Sequence, residues 1–316
     1  STPSTPLTFP AVTGTFLDRF AVHQEQEQFY NAAQSSTIIR FDYQSAASGA
    51  ESWLNRFELF GRRALIKPAD QVLLFRDWSS VSNGAVARFE LSGATTGIKV
   101  WDITSPFVPV AMRNLSSGNF IFHQDAARLR EYVAFTDAQA LTPVVMGTVG
   151  NQNLHGLSVP EYLIITHPSF VTAAQSLAGF HRQQYARTVA VVSTEQVYQE
   201  FGSGIADPTA IRNFVKMLYD KNSSTLKYLL LFGSGSYDPR NRIANNYRFI
   251  PTHQSNQSLD PISSYTSDDF FGMLNDTVDI NRGADKQSLE IAVGRIPARN
   301  LNEANAMVDK IIRYHH

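Results

Sequence analysis

Four short, uninterrupted apolar runs lie in the second half of this sequence, at residues 162–165, 189–192, 228–232 and 291–293. A strand with one wet face alternates apolar and polar side chains, so continuous runs call for cover on both faces. Helix-patterned stretches separate them at 170–183, 209–221 and 301–313, the second carrying Ile211, Phe214, Val215 and Leu218 on one side. Strands alternating with helices give a parallel sheet joined by right-handed crossovers. Asp207 before Pro208 marks a helix start, with Asp as N-cap and Pro at the first helical position.

From about residue 10 to 150 the texture differs. Segments rich in β-branched and aromatic residues, at 37–41, 53–59, 72–75, 85–91, 98–103 and 132–135, alternate with Gly, Asn, Ser and Pro. Alternation puts one face in a core and the other in water, and many such strands form a sandwich. The expected fold class is therefore a β-sandwich N-terminal domain followed by a flavodoxin-like α/β domain with a mainly parallel, incomplete sheet. The expected bounds are a linker at 1–10, the all-β domain at 11–156 and the α/β domain at 161–316, with the joint at 156–160. The α/β pattern ends in a helix after its fourth buried strand, so the sheet is expected to present an unpaired edge.

A chain of 316 residues with 43% hydrophobic content has enough apolar material for two cored domains. Its 27 basic and 28 acidic residues are scattered, so no basic field exists to hold nucleic acid or anionic lipid. No apolar run approaches the roughly 20 residues that span a bilayer. The opening Ser1-Thr2-Pro3-Ser4-Thr5-Pro6 has linker character, and the chain reads as a processed or engineered segment. His315 and His316 receive no function, since a native end and a purification tag look alike.

The count of zero Cys removes disulfides, thiolate metal sites and any cysteine nucleophile from these residues. The loop Gly233-Ser234-Gly235-Ser236-Tyr237-Asp238 follows a buried strand, where open α/β sheets bind ligands. It lacks the third glycine and the immediate helix of a dinucleotide fingerprint. Neither Gly202-Ser203-Gly204 nor Gly233-Ser234-Gly235 has the spacing of a serine-hydrolase elbow. The eight His form no zinc-peptidase pair, and His167 before Pro168 is a polar turn residue. Acids gather at Asp268-Asp269 and from Asp276 to Asp285; a hard cation needs several oxygen ligands, so calcium is the cofactor to seek, against the plainer reading of solvated loop acids.

In order along the chain stand Tyr162-Leu163-Ile164-Ile165-Thr166-His167-Pro168, Gln196-Val197-Tyr198-Gln199-Glu200-Phe201, Asp207-Pro208-Thr209-Ala210-Ile211-Arg212-Asn213-Phe214, Tyr228-Leu229-Leu230-Leu231-Phe232-Gly233, Thr266-Ser267-Asp268-Asp269-Phe270-Phe271-Gly272 and Ile291-Ala292-Val293-Gly294-Arg295-Ile296. Their order and spacing resemble the first half of the catalytic domain of gingipain-type cysteine peptidases, in wording nearest the outer-membrane sortases of the Por (type IX) secretion system. Upstream, Trp53-Leu54-Asn55-Arg56-Phe57-Glu58-Leu59, Val100-Trp101-Asp102-Ile103-Thr104-Ser105-Pro106 and Asn151-Gln152-Asn153-Leu154-His155-Gly156 resemble the β-rich region that precedes the peptidase domain in those sortases. The resemblance implies a caspase-like fold and a catalytic Cys and His that fall beyond the matched half, so no catalytic residue is assigned here.

It further implies that Ser267, Asp268 and Asp269 sit on the rim of a substrate cleft. Gingipains place an Asp straight after the strand-end Gly, whereas Ser234-Gly235 follows Gly233 here; Asp238 is the substitute oxygen ligand, and Glu290 matches a position that looks calcium-associated. Implied partners are secreted proteins with C-terminal sorting domains, other outer-membrane components of type IX secretion and the missing C-terminal half of the catalytic domain. The leading expectation is a cell-surface cysteine peptidase or transpeptidase that removes sorting domains and attaches cargo to the surface, this chain alone being inactive. The alternative is a non-catalytic binding or scaffold module with a flavodoxin-like domain, and a flavin-binding version fails for want of a phosphate loop.

Overall fold

The computed structural model describes residues 5–12, 14–31, 38–45, 47–93, 96–256, 259–276 and 288–315. Contacts divide the chain into two units, residues 34–147 and residues 1–33 together with 148–316. Together they make a mixed α/β chain with one parallel sheet and several antiparallel ones. Among the described residues no helix is long and apolar enough to cross a membrane.

The unit at 34–147 is built from β1 (Leu73–Phe75), β2 (Val86–Leu91), β3 (Lys99–Asp102), β4 (Val110–Ala111), β5 (Phe120–Asp125) and β6 (Tyr132–Phe135). β1, β6, β3 and β4 form one antiparallel sheet in that order, and β2 pairs with β5 in another. Alternation sends Val100, Tyr132 and Ala134 inward from the first sheet, and Leu91, Phe120 and Phe122 from the second, into one apolar cluster. Phe89 stacks on Phe122 at 5.0 Å, and Phe122 meets Tyr132 edge-on at 5.1 Å. Each such aromatic pair adds about 1 kcal/mol beyond area burial. Asp102, buried at the end of β3, is neutralised by Arg130 at 3.0 Å and accepts the Thr104 N–H.

Two expected strands do not form. Residues 38–41 and 53–59 lie outside any sheet, with Trp53 71% and Phe57 58% exposed, and Thr37 falls outside the described residues. A strand's backbone groups need a neighbour, and an alternating pattern cannot supply one. Conversely, β5 was not expected, because Gly118 and Asn119 before it and the polar His123 and Gln124 within it dilute its apolar signal.

The second unit contains β7 (Tyr162–Thr166), α1 (Val171–Tyr185), β8 (Val189–Ser193), α2 (Thr194–Phe201), α3 (Pro208–Lys221), β9 (Tyr228–Phe232), the short β10 (His253–Gln254) and β11 (Thr266–Ser267), β12 (Ala292–Ile296) and α4 (Leu301–Tyr314). The four apolar runs become one all-parallel sheet in the order β12, β9, β7, β8. The two-residue alternation of side chains then assigns the faces. Leu163, Ile165, Leu229 and Leu231 pack with Val197 of α2 and with Ile211, Phe214, Val215 and Leu218 of α3. Ile164, Leu230 and Phe232 pack on the other side with Ala174 and Leu177 of α1 and with Ala304 and Val308 of α4. Fully burying each large side chain contributes about 1.5–3 kcal/mol. At the start of α3 Asp207 accepts the Thr209 N–H at 2.8 Å, with Pro208 behind it, as the cap signal demands. Helix α2 was not anticipated, although Ser193 and Gln196 form a capping box whose spacing was legible.

The last helix departs from the expected crossover. α1 joins β7 to β8 on the face that α4 also covers, so a right-handed crossover leaving β12 through α4 leads back toward β9, where the sheet is already filled. Helix α4 is thus a cover packed beside α1, and β12 pairs with β9 alone among the described residues.

Candidate functional site

At the carboxyl end of β9 the chain turns at Gly233, whose φ of +149° suits glycine and where a side chain would meet Phe249 and Ile250. The loop is held on two sides: Ser234 N–H donates to the Ala298 carbonyl at 2.9 Å, and Phe249 N–H donates to Ser234 at 2.9 Å. Gly235 lies so close to Thr252 that a Cβ would sit 2.5 Å from its methyl carbon.

Arg295, on the sheet face opposite the buried Ile296, joins these segments. Its Nε and one terminal nitrogen grip the two carboxylate oxygens of Asp268, each at 2.7 Å. The other terminal nitrogen donates to the carbonyls of Gly233 at 2.9 Å and Ile250 at 3.2 Å, and the terminal nitrogen that holds Asp268 also donates to the Pro251 carbonyl at 3.3 Å. A guanidinium has five N–H donors in a fixed fork, and here every nitrogen is engaged, so the group works as a clasp. Its role was not anticipated; the only hint was its place in Val293-Gly294-Arg295.

The three rim residues separate in role. Ser267 lies in β11 opposite His253, and its hydroxyl accepts the Asp269 N–H at 3.1 Å. Asp268 is taken up by Arg295, so it holds the rim together. Asp269 is exposed and opens the 3₁₀ turn Asp269–Phe271, with its carbonyl accepting from Gly272 and Met273. Beside them Phe270 stacks on the His253 ring at 4.3 Å, and the Arg212 guanidinium lies over the Phe270 ring, 5.6 Å from its centroid.

The two expected metal ligands belong to separate hydrogen-bond groups. One Asp238 oxygen accepts N–H bonds from Arg242 and, at 2.9 Å, from Ile243, together with the Asn246 amide at 3.2 Å. The Ile243 N–H foremost, with those of Arg242 and Arg240, holds the carboxyl below its ordinary range. Glu290 accepts the Leu274 N–H at 2.7 Å. Among the described residues no group of three or more His, Asp or Glu side chains is arranged to hold a metal ion. The acids Asp279 and Asp285 lie outside the described residues, as does His316.

His167 directly follows β7 and caps the 3₁₀ turn Pro168–Phe170. Its ring accepts the Ser169 N–H at 3.3 Å and meets Phe249 at 4.7 Å, and burial holds its pKa below the usual value against the opposing pull of Glu195. Burial likewise raises the Tyr198 phenol on α2, with Asp207 adding to the shift and Arg295 opposing it. The arrangement is a stiff wall at the carboxyl ends of β7, β9 and β12. Covalent attack on a peptide requires an activated nucleophile, and these residues contain no Cys to supply a thiolate. A shallow depression lined by Asn213, Lys216, Met217, Asp220 and Lys221 lies on α3.

Residues 155–316 match the family model of peptidase family C25. None of the curated proteins matches the chain. Among solved structures, the chain is similar to dimeric latent PorU from Porphyromonas gingivalis at 30% identity and a TM-score of 0.68, over 79% of this chain and 25% of that one. The chain thus spans a quarter of the length of that relative.

Proposed function

Because this chain belongs to peptidase family C25, whose model takes in the whole parallel sheet and the Arg295 clasp, we propose that it is part of a gingipain-like cysteine peptidase or transpeptidase of the bacterial cell surface. In this reading the protein removes C-terminal sorting domains from secreted proteins and attaches the cargo to the surface, working with other outer-membrane components of type IX secretion. The match over residues 155–316 carries the reading. The rim at Ser267, Asp268 and Asp269 forms one wall of the substrate cleft, and the thiolate and its imidazole partner come from protein outside these residues. The two antiparallel sheets of 34–147 serve as the sandwich preceding the peptidase domain, with the joint at 156–160. The dimeric, latent state named for the relative carries over as pairing of two copies, or of this chain with the rest of its catalytic domain, at the open edge of β12.

The test is cleavage of a cargo protein bearing its C-terminal sorting domain by the full-length protein, with and without thiol alkylation. Thiol-dependent release of the sorting domain is expected. A full-length protein that leaves the cargo intact would instead favour a binding scaffold.

A further inference from the structure

We propose that the loop 237–248, beyond the carboxyl end of β9, is a docking surface for an acidic peptide segment. Arg240, Arg242 and Arg248 stand on it with Tyr237 and Tyr247, all five exposed. Its single carboxylate, Asp238, is buried and turned inward onto the N–H groups of Arg242 and Ile243. The loop therefore shows a cationic and aromatic face on a chain whose net charge is −1.

Arg62, Arg76, Arg88, Arg130, Arg295 and Arg299 each pair with a carboxylate. Among the described residues none pairs with Arg240, Arg242 or Arg248, and the side chains of Arg240 and Arg242 make no hydrogen bond. Other arginines, Arg63 and Arg113 among them, also form no ion pair among the described residues; what sets Arg240, Arg242 and Arg248 apart is that all three stand on one loop whose only carboxylate is turned inward. The frame beneath them is nonetheless fixed. Asn246 donates to the Asp238 carbonyl at 2.7 Å, Arg248 donates to the Pro239 carbonyl at 2.7 Å, and Asn241 and Asn245 take left-handed turns at φ 57° and 55°. A preorganised frame spares the ordering cost of binding, and guanidinium forks match carboxylates with two parallel bonds.

A polyanion backbone or a charged lipid surface would call for a basic field across the molecule, which the scattered charges do not make. A local cluster on the rim of a peptide-handling cleft fits side-chain carboxylates of a peptide instead. The choice of peptide as partner rests on the peptidase reading above; the cationic surface does not.

The experiment is fluorescence anisotropy of the 316-residue chain with a labelled Glu-rich peptide and with a Gln-rich peptide of the same length, at low and high salt. Binding of the Glu-rich peptide alone, weakened by salt, is expected. The double variant Arg240→Gln/Arg242→Gln should weaken it about tenfold, while Arg113→Gln/Arg128→Gln, in the other unit, leaves it unchanged; circular dichroism establishes that both variants fold. Equal binding of the two peptides, unchanged binding by the Arg240/Arg242 variant, or binding of anionic vesicles or inorganic phosphate without binding of the Glu-rich peptide overturns the proposal. A full-length thiol peptidase whose chain ignores the Glu-rich peptide defeats this proposal alone. Peptide binding by a full-length protein without thiol-dependent cleavage defeats the peptidase reading and leaves the surface standing.

Discussion

Arg295 holds Asp268 through two parallel bonds of 2.7 Å, although 27 residues separate them, and in the same grip reaches the carbonyls of Gly233 and Ile250. The pair is 12% and 28% exposed at its side chains, enough burial for geometry to matter more than charge. One residue of an edge strand thereby fixes three loops at the carboxyl end of the sheet.

Replacing Arg295 with Lys keeps the charge and loses the fork, leaving carbonyls and a carboxylate partly buried without donors. We expect a loss of about 2–3 kcal/mol by urea denaturation, with faster protease cutting between 233 and 272. A variant as stable and as resistant as the parent would show that the clasp is dispensable.

Two glycines should respond oppositely to Ala. At Gly235 a Cβ would meet Thr252 Cγ2 at 2.5 Å and the Arg295 guanidinium at 3.3 Å, so Gly235→Ala should destabilise by about 1–3 kcal/mol. Gly179, inside α1, has nothing within 4 Å of a new Cβ, and Gly179→Ala should stabilise by up to about 1 kcal/mol. Thermal melts of the two variants decide, and shifts of the same sign would contradict the packing described.

Acid should act through Glu200. Burial pushes its pKa up, but the N–H of Leu154, His155 and the Gln152 amide outweigh this and hold it below its ordinary 4.5. A depressed folded pKa means a contribution present above the unfolded value of 4.5 and lost as pH falls through the lower folded value. Glu200→Gln should therefore cost about 1–2 kcal/mol near pH 7, with the difference from the parent shrinking as pH falls below 4.5. Parallel stability curves down to pH 3 would mean that Glu200 gains nothing from its charge.

The isolated chain should hydrolyse no arginyl, lysyl or sorting-domain peptide, since it has no thiol to activate. Turnover that survives repurification and resists alkylation would demand a different mechanism.

Light scattering with intact-mass analysis addresses the edge of β12. A pair of copies, or a companion peptide, is expected; a stable monomer at high concentration would mean that the edge is covered.

The parallel sheet could be read from the sequence because its signal is local: continuous apolar runs at 162–165 and 228–232 exclude a wet face, and the Asp207-Pro208 cap makes its bonds within one turn. Residues 53–59 have the same local eligibility for a strand, yet among the described residues no neighbour pairs with them, and pairing is a property of two segments. The site divides the same way. The family resemblance alone suggests a loop position for Ser267, Asp268 and Asp269, and Ser267 lies in the short strand β11. That Asp268 serves Arg295, and that Asp238 turns inward beneath three unpaired arginines, depends on partners distant in sequence or on loop geometry. Only the folded backbone brings those donors and acceptors within 3 Å, where hydrogen bonds decide which charges are spent inside the protein and which remain outside it.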